Sequence, residues 1–185
     1  SDQGFWDWNL ENNTFSVSPH FERMLGYEPG DIDMRPENWM QLMHPEDLVI
    51  AKQSIERHLS GETPAHNVEM RYLTKAGEWR WMLTRGRIVE YSPDGRPLMM
   101  AGTHTDITER KATETELRQA ATVFENTQEG VIITDADMRI LSVNRAFSQI
   151  TGLSAEEAVG KTPAMLQSGR HDAAFYRDLW RRIRS

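Results

Sequence analysis

The chain repeats part of its own sequence, and this repeat limits the folds open to it more than any other feature. The segment GFWDWNLENNTFSVSPHFERMLGYEPGDI, which begins at Gly4, aligns without a gap with GVIITDADMRILSVNRAFSQITGLSAEEA, which begins at Gly130. Self-similarity of this kind indicates that one structural unit occurs twice. The residue types are identical at these aligned pairs: Gly4 and Gly130, Ser16 and Ser142, Val17 and Val143, Phe21 and Phe147, and Gly26 and Gly152.

Both copies predict the same order of elements. In each, a short apolar strand, a polar turn and a second short strand precede a short helix that stops at a glycine. Ser18 and Asn144 are suited to the N-cap of that helix, because their side-chain oxygens can accept from the free amides of the first turn. Gly26 and Gly152 are suited to the left-handed conformation that ends a helix.

The first copy continues into a complete domain. A helix is predicted from Pro45 to about Ser60, and three strand-like runs follow it, separated by turns at 75–78 and 92–96. The second copy ends inside its own long helix and lacks the three later strands. The sequence therefore predicts an α+β fold in which one antiparallel sheet carries helices on one face.

Several motifs in this order resemble PAS domains with their C-terminal PAC motif. They are WDWNLENNTFSVSPHFERMLGY, the helix start HPED, the strand GEWRW, and TDITERK at Thr105 to Lys111. Residues 118–185 resemble the first half of a second PAS domain, of the type found before GGDEF and EAL cyclic-di-GMP enzymes or in histidine kinases. The resemblance implies a five-stranded antiparallel sheet in the order 2-1-5-4-3 with helices on one face. We expect a complete PAS/PAC domain at 1–108, a signalling linker helix at 109–125 and a partial second PAS domain at 126–185.

The resemblance also implies a sensory and regulatory module of a signal-transduction protein. Ligand or redox state would pass through the junction of Asp106, Ile107 and Thr108 into the linker helix, which starts at Glu109 and Arg110. The receiver would be an effector such as a diguanylate cyclase, a phosphodiesterase or a histidine kinase. Thr108 or Asp106 can equally serve as an ordinary N-cap without a signalling role.

The resemblance also implies a homodimer, with the linker helix at the contact. Its sequence is rich in Glu, Lys, Ala, Thr and Leu and contains neither Gly nor Pro. The alternatives are a solvated helix between two domains and a ligand-free dimerisation scaffold as the function of the whole segment. A heptad seam, in which two of six positions are charged, would comprise Ile107, Arg110, Glu114, Leu117, Ala121 and Phe124.

The second copy contains the candidate cofactor site. MLQSGR at Met165 to Arg170, together with the later aromatic residues, resembles flavin-binding PAS modules. FAD in a completed second domain, acting as a redox sensor, is thus an alternative function, whereas heme is disfavoured. The chain has no cysteine, so a cysteine–flavin photoadduct is excluded. The candidate ligand-binding residues, some of which can instead be ordinary core, are Asn144, Phe147, Leu166, Arg170 and Trp180.

The first copy is rich in tryptophan, and these side chains can fill or surround a small cavity. If the cavity is open, a small-molecule ligand is the expected occupant; if it is packed, the module binds none. The tryptophans concerned are Trp6, Trp8, Trp39, Trp79 and Trp81.

Charge and motifs exclude several other functions. A formal net charge of −7 disfavours nucleic-acid binding. The patterns G-x-S-x-G, H-E-x-x-H and G-x-G-x-x-G are absent, and the histidines lack zinc spacing, so we predict no catalysis and no metal site in this segment. Because no apolar run approaches the roughly 20 residues that cross a bilayer, we expect a cytoplasmic segment without membrane contact. Its parent protein could still be anchored elsewhere.

Overall fold

The computed structural model describes residues 3–167, which form two units, one up to Thr113 and one from Glu114 onward. The strands are β1 (Gln3–Asn9), β2 (Thr14–Val17), β3 (His66–Leu73), β4 (Trp79–Tyr91), β5 (Pro97–Asp106), β6 (Ile132–Thr134) and β7 (Ile140–Val143). The helices are α1 (Pro19–Met24), α2 (Pro36–Trp39), α3 (Pro45–Leu59), α4 (Thr108–Asn126), α5 (Arg145–Thr151) and α6 (Ala155–Ala158), with 3-10 turns at Met40–Leu42 and Pro163–Gln167.

The first unit is built on a five-stranded sheet in the order β2-β1-β5-β4-β3, and this confirms the predicted order. All neighbouring strands are antiparallel. Successive side chains of a strand point to opposite faces. In β3 this puts His66, Val68, Met70 and Tyr72 into the interior and leaves the residues between them on the outer face.

The core of the first unit lies between the inner face of this sheet and the helices. Phe21 of α1 is fully buried and packs against Trp39, Tyr72 and His104, with ring centroids 4.3–5.6 Å apart. Burying such a side chain contributes about 1.5–3 kcal/mol. The buried cluster comprises Phe21, Leu25, Ile32, Trp39, Ala51, Val68, Met70, Tyr72 and Met82.

The ends of the short helices follow the predicted capping chemistry. The Ser18 hydroxyl accepts from the amide of Phe21 at 3.4 Å and also from that of Phe5 at 3.0 Å, so one side chain starts α1 and ties it to β1. Gly26 has φ +80° after the end of the helix, as predicted. Pro45 is the first residue of α3, where its missing amide hydrogen is not needed.

The second unit contains the predicted strand pair and short helices. β6 and β7 are antiparallel, and Asn144 caps α5 through its side-chain oxygen, which accepts from the amide of Phe147 at 2.9 Å. Gly152 adopts φ +73° at the end of α5. The long helix predicted near the C-terminus lies outside the described residues. The small core of this unit comprises Ile140, Val143, Phe147, Ala158 and Leu166.

Candidate ligand cavity and signalling junction

A cavity of about 230 Å³ lies in the first unit, between the sheet and α3. Sheet residues form one wall, and Leu48, Ala51, Lys52 and Ile55 of α3 contribute to the other. Most of the lining is aromatic or aliphatic. The remaining lining residues are Trp6, Trp8, Asn13, Phe15, Val17, Trp39, Met40, Met43, His66, Met70, Tyr72, Thr84 and His104.

Two glycines position the large ring that borders this cavity. Gly102 of β5 pairs with Trp6 on one side and with Gly86 of β4 on the other. A Cβ at Gly102 would lie 2.7 Å from the Trp6 indole, and one at Gly86 would lie 2.3 Å from it. The indole therefore lies flat over two strands only because both opposing residues lack a side chain.

The buried polar groups beside the cavity are held neutral. Burial lowers the pKa of His66 to about 4 and that of His104 to about 3; the nearby His58 adds to the effect on His66, and His66 adds to the effect on His104. His66 Nδ1 lies 2.9 Å from Ser54 Oγ, and His104 Nδ1 lies 2.9 Å from Thr84 Oγ1. Both imidazoles are therefore uncharged at neutral pH.

Two ring nitrogens in the lining residues have no hydrogen-bond partner. They are Trp6 Nε1 and His104 Nε2, and both are buried. Nearly all buried polar atoms in proteins are paired, so two such atoms beside one cavity indicate a place where a further polar group is needed.

The prediction that five tryptophans fill or surround the cavity is wrong for two of them. Trp79 is 42% exposed and packs against His44, with ring centroids 4.8 Å apart. Trp81 lies on the outer face of the sheet, because its neighbour Met82 takes the inward position in β4. Trp6, Trp8 and Trp39 do line the cavity.

The junction between β5 and α4 is fixed by hydrogen bonds to β4. Asp106 Oδ1 accepts from the Thr108 amide at 2.9 Å, which caps the helix. The Thr108 hydroxyl accepts from the Trp81 amide at 3.1 Å, and the Ile107 amide donates to the Trp81 carbonyl at 2.9 Å. Arg80 approaches Asp106 at 3.6 Å. The predicted junction residues are thus brought together against one point of β4.

The first turn of α4 is also anchored by charges on the outer face. Glu69 of β3 pairs with Arg110 at 2.5 Å and with Lys111 at 2.5 Å. Hydrogen bonds from Lys111 and Arg110 lower the pKa of the Glu69 carboxyl. The Lys111 ammonium lies 5.0 Å from the centre of the Trp81 ring, and the Arg71 guanidinium lies 5.1 Å from it. These distances are those of cation–π contacts.

Arg71 continues this series of contacts to the start of α3. Its Nε and its amide each donate to Asp47 Oδ2 at 2.8 Å, and a second guanidinium nitrogen donates to Asp47 Oδ1 at 2.8 Å and to Glu46 at 3.0 Å. Burial alone would raise the pKa of Asp47, but the bonds from Arg71 outweigh it and lower that pKa. His44 and these two carboxylates lie within metal-binding distance of one another, yet both carboxylates already bind Arg71.

We name this series of contacts the outer ladder, defined as Asp47, Arg71, Trp81, Lys111 and Glu69. Sequence reasoning missed it, as it missed the lining residues Lys52 and His104. The alternation of apolar and polar residues in β3 could have indicated part of the ladder, because it places Glu69 and Arg71 on one face. Which residues of β4 and α4 meet them depends on strand register, which the sequence does not supply.

The candidate cofactor residues of the second unit are only partly described. Asn144 uses its full hydrogen-bonding capacity within the protein, since Oδ1 accepts from Val131 and Phe147 and Nδ2 donates to Phe124 and Glu129. Phe147 and Leu166 are buried in the small core. The other two candidates, Arg170 and Trp180, lie outside the described residues. Among the described helices, none is both long and apolar enough to cross a membrane.

Comparison with known families and proteins supplies the context for these features. Residues 14–104 match a family model described as the PAS fold, and residues 118–185 match a second model with the same description. The probable diguanylate cyclase DgcE of Escherichia coli is 35% identical over 92 residues, which is 50% of this chain and 8% of that protein. A blue-light-activated histidine kinase of Brucella ovis is 28% identical over 111 residues, which is 60% of this chain and 21% of that protein. The chain thus spans only a small part of either relative.

Solved structures agree with the fold. A sensory box histidine kinase/response regulator from Burkholderia thailandensis is 31% identical with a TM-score of 0.55, covering 65% of this chain and 88% of that one. The N-terminal domain of a diguanylate cyclase with a PAS/PAC sensor from Marinobacter aquaeolei is 23% identical with a TM-score of 0.52, covering 59% of this chain and 98% of that one. The second likeness is one of fold alone.

Proposed function

Because the chain belongs to the PAS family, we propose that its first unit is a ligand-responsive sensory module whose state passes through the Asp106–Thr108 junction and α4 to a downstream effector. The sensory role itself follows from the family and from its occurrence in signal-transduction relatives. The route and the effector are the proposal. A diguanylate cyclase is the effector that the 35% identical Escherichia coli relative suggests.

The outer ladder is the observation that carries this proposal. Asp47 lies one residue before Leu48, the first α3 residue that lines the cavity. A ligand that displaces α3 would therefore move the carboxylate that holds Arg71. Arg71 contacts the ring of Trp81, and the same ring contacts Lys111 in the first turn of α4. The contacts are charged and directional, so a shift at one end changes the partners available at the other.

The inner face of the sheet provides a second connection, which joins α1 and the cavity to the start of α4. Arg80 donates to the Met24 carbonyl at the end of α1 and also approaches Asp106. His104 borders the cavity and lies two residues before Asp106 in the same strand. The start of α4 is thereby held from both faces of the sheet, and we propose that both connections contribute to its position.

Hydrogen exchange on the 185-residue chain tests the route. The variant A51L adds apolar volume to the cavity wall and imitates an occupant. We expect it to change the exchange rates of the amides in the first two turns of α4 by several fold. Adding E69Q, which removes the ion pairs to Arg110 and Lys111, should reduce that change severalfold, since the connection through Arg80 remains.

The control for E69Q is E62Q. Glu62 also pairs with an arginine, Arg57, but lies far along the chain from the junction. E62Q should leave the response to A51L intact. If A51L alters α4 equally in the presence of E69Q, the ladder is not the route. If A51L leaves α4 unchanged, the cavity does not signal to it.

A dimerisation scaffold is the second candidate function, and the surface of α4 favours it. None of its 19 residues is buried, and Leu117 and Val123 are 67% and 71% exposed. Long exposed helices gain most of their stability from packing an apolar face. We propose that Leu117 and the apolar residues one and two turns after it, Ala121 and Phe124, pair with those of a second copy.

A further inference from the structure

The chemistry of the cavity lining specifies which class of ligand it can take. A specific occupant presupposes the proposed sensory function of the first unit and adds to it the nature of the ligand. Trp6, Trp8, Phe15, Trp39 and Tyr72 all face the space. Such rings bury large apolar areas and favour a flat apolar partner.

The size of the cavity limits the ligand to a small molecule. Its volume of about 230 Å³ lies below the roughly 300–1,000 Å³ that is usual for drug-sized ligands. A single aromatic ring with a short substituent fits this limit. The unpaired Trp6 Nε1 and His104 Nε2 distinguish the space from an ordinary packing defect, because an apolar defect would have no unpaired polar atoms beside it.

The charge of the lining selects against cations. Among the described residues that line the cavity there is no Asp or Glu. With His66 and His104 neutral, Lys52 carries the only charge in this described lining. Aromatic faces can stabilise a cation, but here a cation would find no carboxylate and would be repelled by Lys52.

Lys52 is available to pair with an anion at the mouth of the cavity. It is exposed and has no salt bridge to any residue in the described part of the chain. A lysine on such a rim can lay its aliphatic stem along the apolar wall and present its ammonium group at the opening. A ligand with an apolar ring and one carboxylate would pack its ring against the apolar wall and pair its carboxylate with Lys52 at the opening.

We propose that the cavity of the first unit binds small aromatic monocarboxylates, with the ring among the tryptophans and the carboxylate at Lys52. Three probes of nearly equal size separate the possibilities: phenylacetate, its neutral amide phenylacetamide, and the cation phenethylamine. Titration calorimetry on the wild-type chain should show saturable binding of phenylacetate. The amide should bind about fivefold more weakly, as expected for the loss of one partly exposed ion pair, and the amine should bind most weakly.

Two variants locate the site. K52Q should weaken phenylacetate about fivefold and leave phenylacetamide unchanged, so that the two probes bind alike. K161Q, which removes a lysine from the second unit, should preserve the preference for the acid. A51L, which fills the cavity, should weaken both probes at least tenfold. Circular dichroism of each variant checks that it is folded.

Specific results would overturn this proposal. They are absence of phenylacetate binding, binding of the amine at least as tight as that of the acid, or an acid preference that survives K52Q. Phenylacetate binding that survives A51L would place the ligand elsewhere. The α4 exchange response to A51L does not depend on any probe, so the transmission route and the ligand class can fail separately.

Discussion

Replacing Asp47 with Asn tests the most deeply buried contact of the outer ladder. The Asp47 side chain is 7% exposed, and its carboxylate accepts three hydrogen bonds of 2.8 Å from Arg71. Breaking a buried ion pair by removing one partner typically destabilises a protein by about 3–5 kcal/mol. Arg71 retains Glu46 and is 23% exposed, so it can recover some hydration. We therefore expect D47N to lower the free energy of unfolding by about 3 kcal/mol.

Urea unfolding followed by tryptophan fluorescence measures this effect. Five of the six tryptophans precede residue 114, so the signal reports chiefly on the first unit. The control is D33N, which disrupts a solvent-exposed pair with Arg35 and should change stability little. A loss below about 1 kcal/mol for D47N would refute the claim that this ion pair is a structural anchor.

The pH dependence of the D47N stability difference is an independent test of the ion pair between Asp47 and Arg71. Arg71 lowers the pKa of Asp47 below its ordinary value of 3.8. A lowered pKa means that the native state holds the proton less tightly, so this stabilisation is fully present above pH 3.8 and is lost as pH falls through the lower native value. The difference between wild type and D47N should be constant from pH 7 to about 5 and should narrow below about 4. A difference that does not change with pH would show that charge is not its cause.

Three further changes test other parts of the structure. G102A would put a Cβ 1.9 Å from the Arg85 carbonyl oxygen and 2.7 Å from the Trp6 ring. We therefore expect the free energy of unfolding in urea to fall by about 3 kcal/mol. A G102A variant as stable as wild type would contradict this close approach of Trp6 to Gly102. N144A removes a helix cap and three other hydrogen bonds and should raise amide exchange across α5 at least tenfold, whereas N144S, which keeps a capping oxygen, should raise it less. L117E should convert a dimer into a monomer in light scattering, whereas Q119E adds the same charge off the proposed seam and should not; a wild-type monomer would exclude pairing through α4.

Local chemistry allowed the short helices and their ends to be predicted from the sequence. As helix caps, Ser18 and Asn144 bind an amide only three residues ahead, and the glycines that end α1 and α5 act as locally. Such contacts depend on residue type and spacing alone. The strand order of the sheet was predicted from the resemblance to PAS domains and not from any pattern in the strands.

The lining of the cavity could be predicted only in part, because it depends on how strands pair. In β4, Trp79, Trp81 and Leu83 alternate with Arg80, Met82 and Thr84, and both sets contain large apolar residues. Nothing in that pattern says which set faces the core, and a shift of one residue exchanges the two faces. The structure places Met82 and Thr84 inside. The two glycines under Trp6 form a pair only in the observed register.

The two faces of the sheet provide a physical basis for the proposed coupling between ligand binding and output. In β3, alternation sends His66 and Met70 to the cavity and Glu69 and Arg71 to the outer ladder. A displacement of β3 would therefore move the cavity wall and the ladder together, because both are parts of one strand. Because Glu69 holds the first turn of α4, the same displacement would pull on that turn. A ligand that shifts β3 and α3 as one body would then reach α4 through charged contacts on a face it never touches.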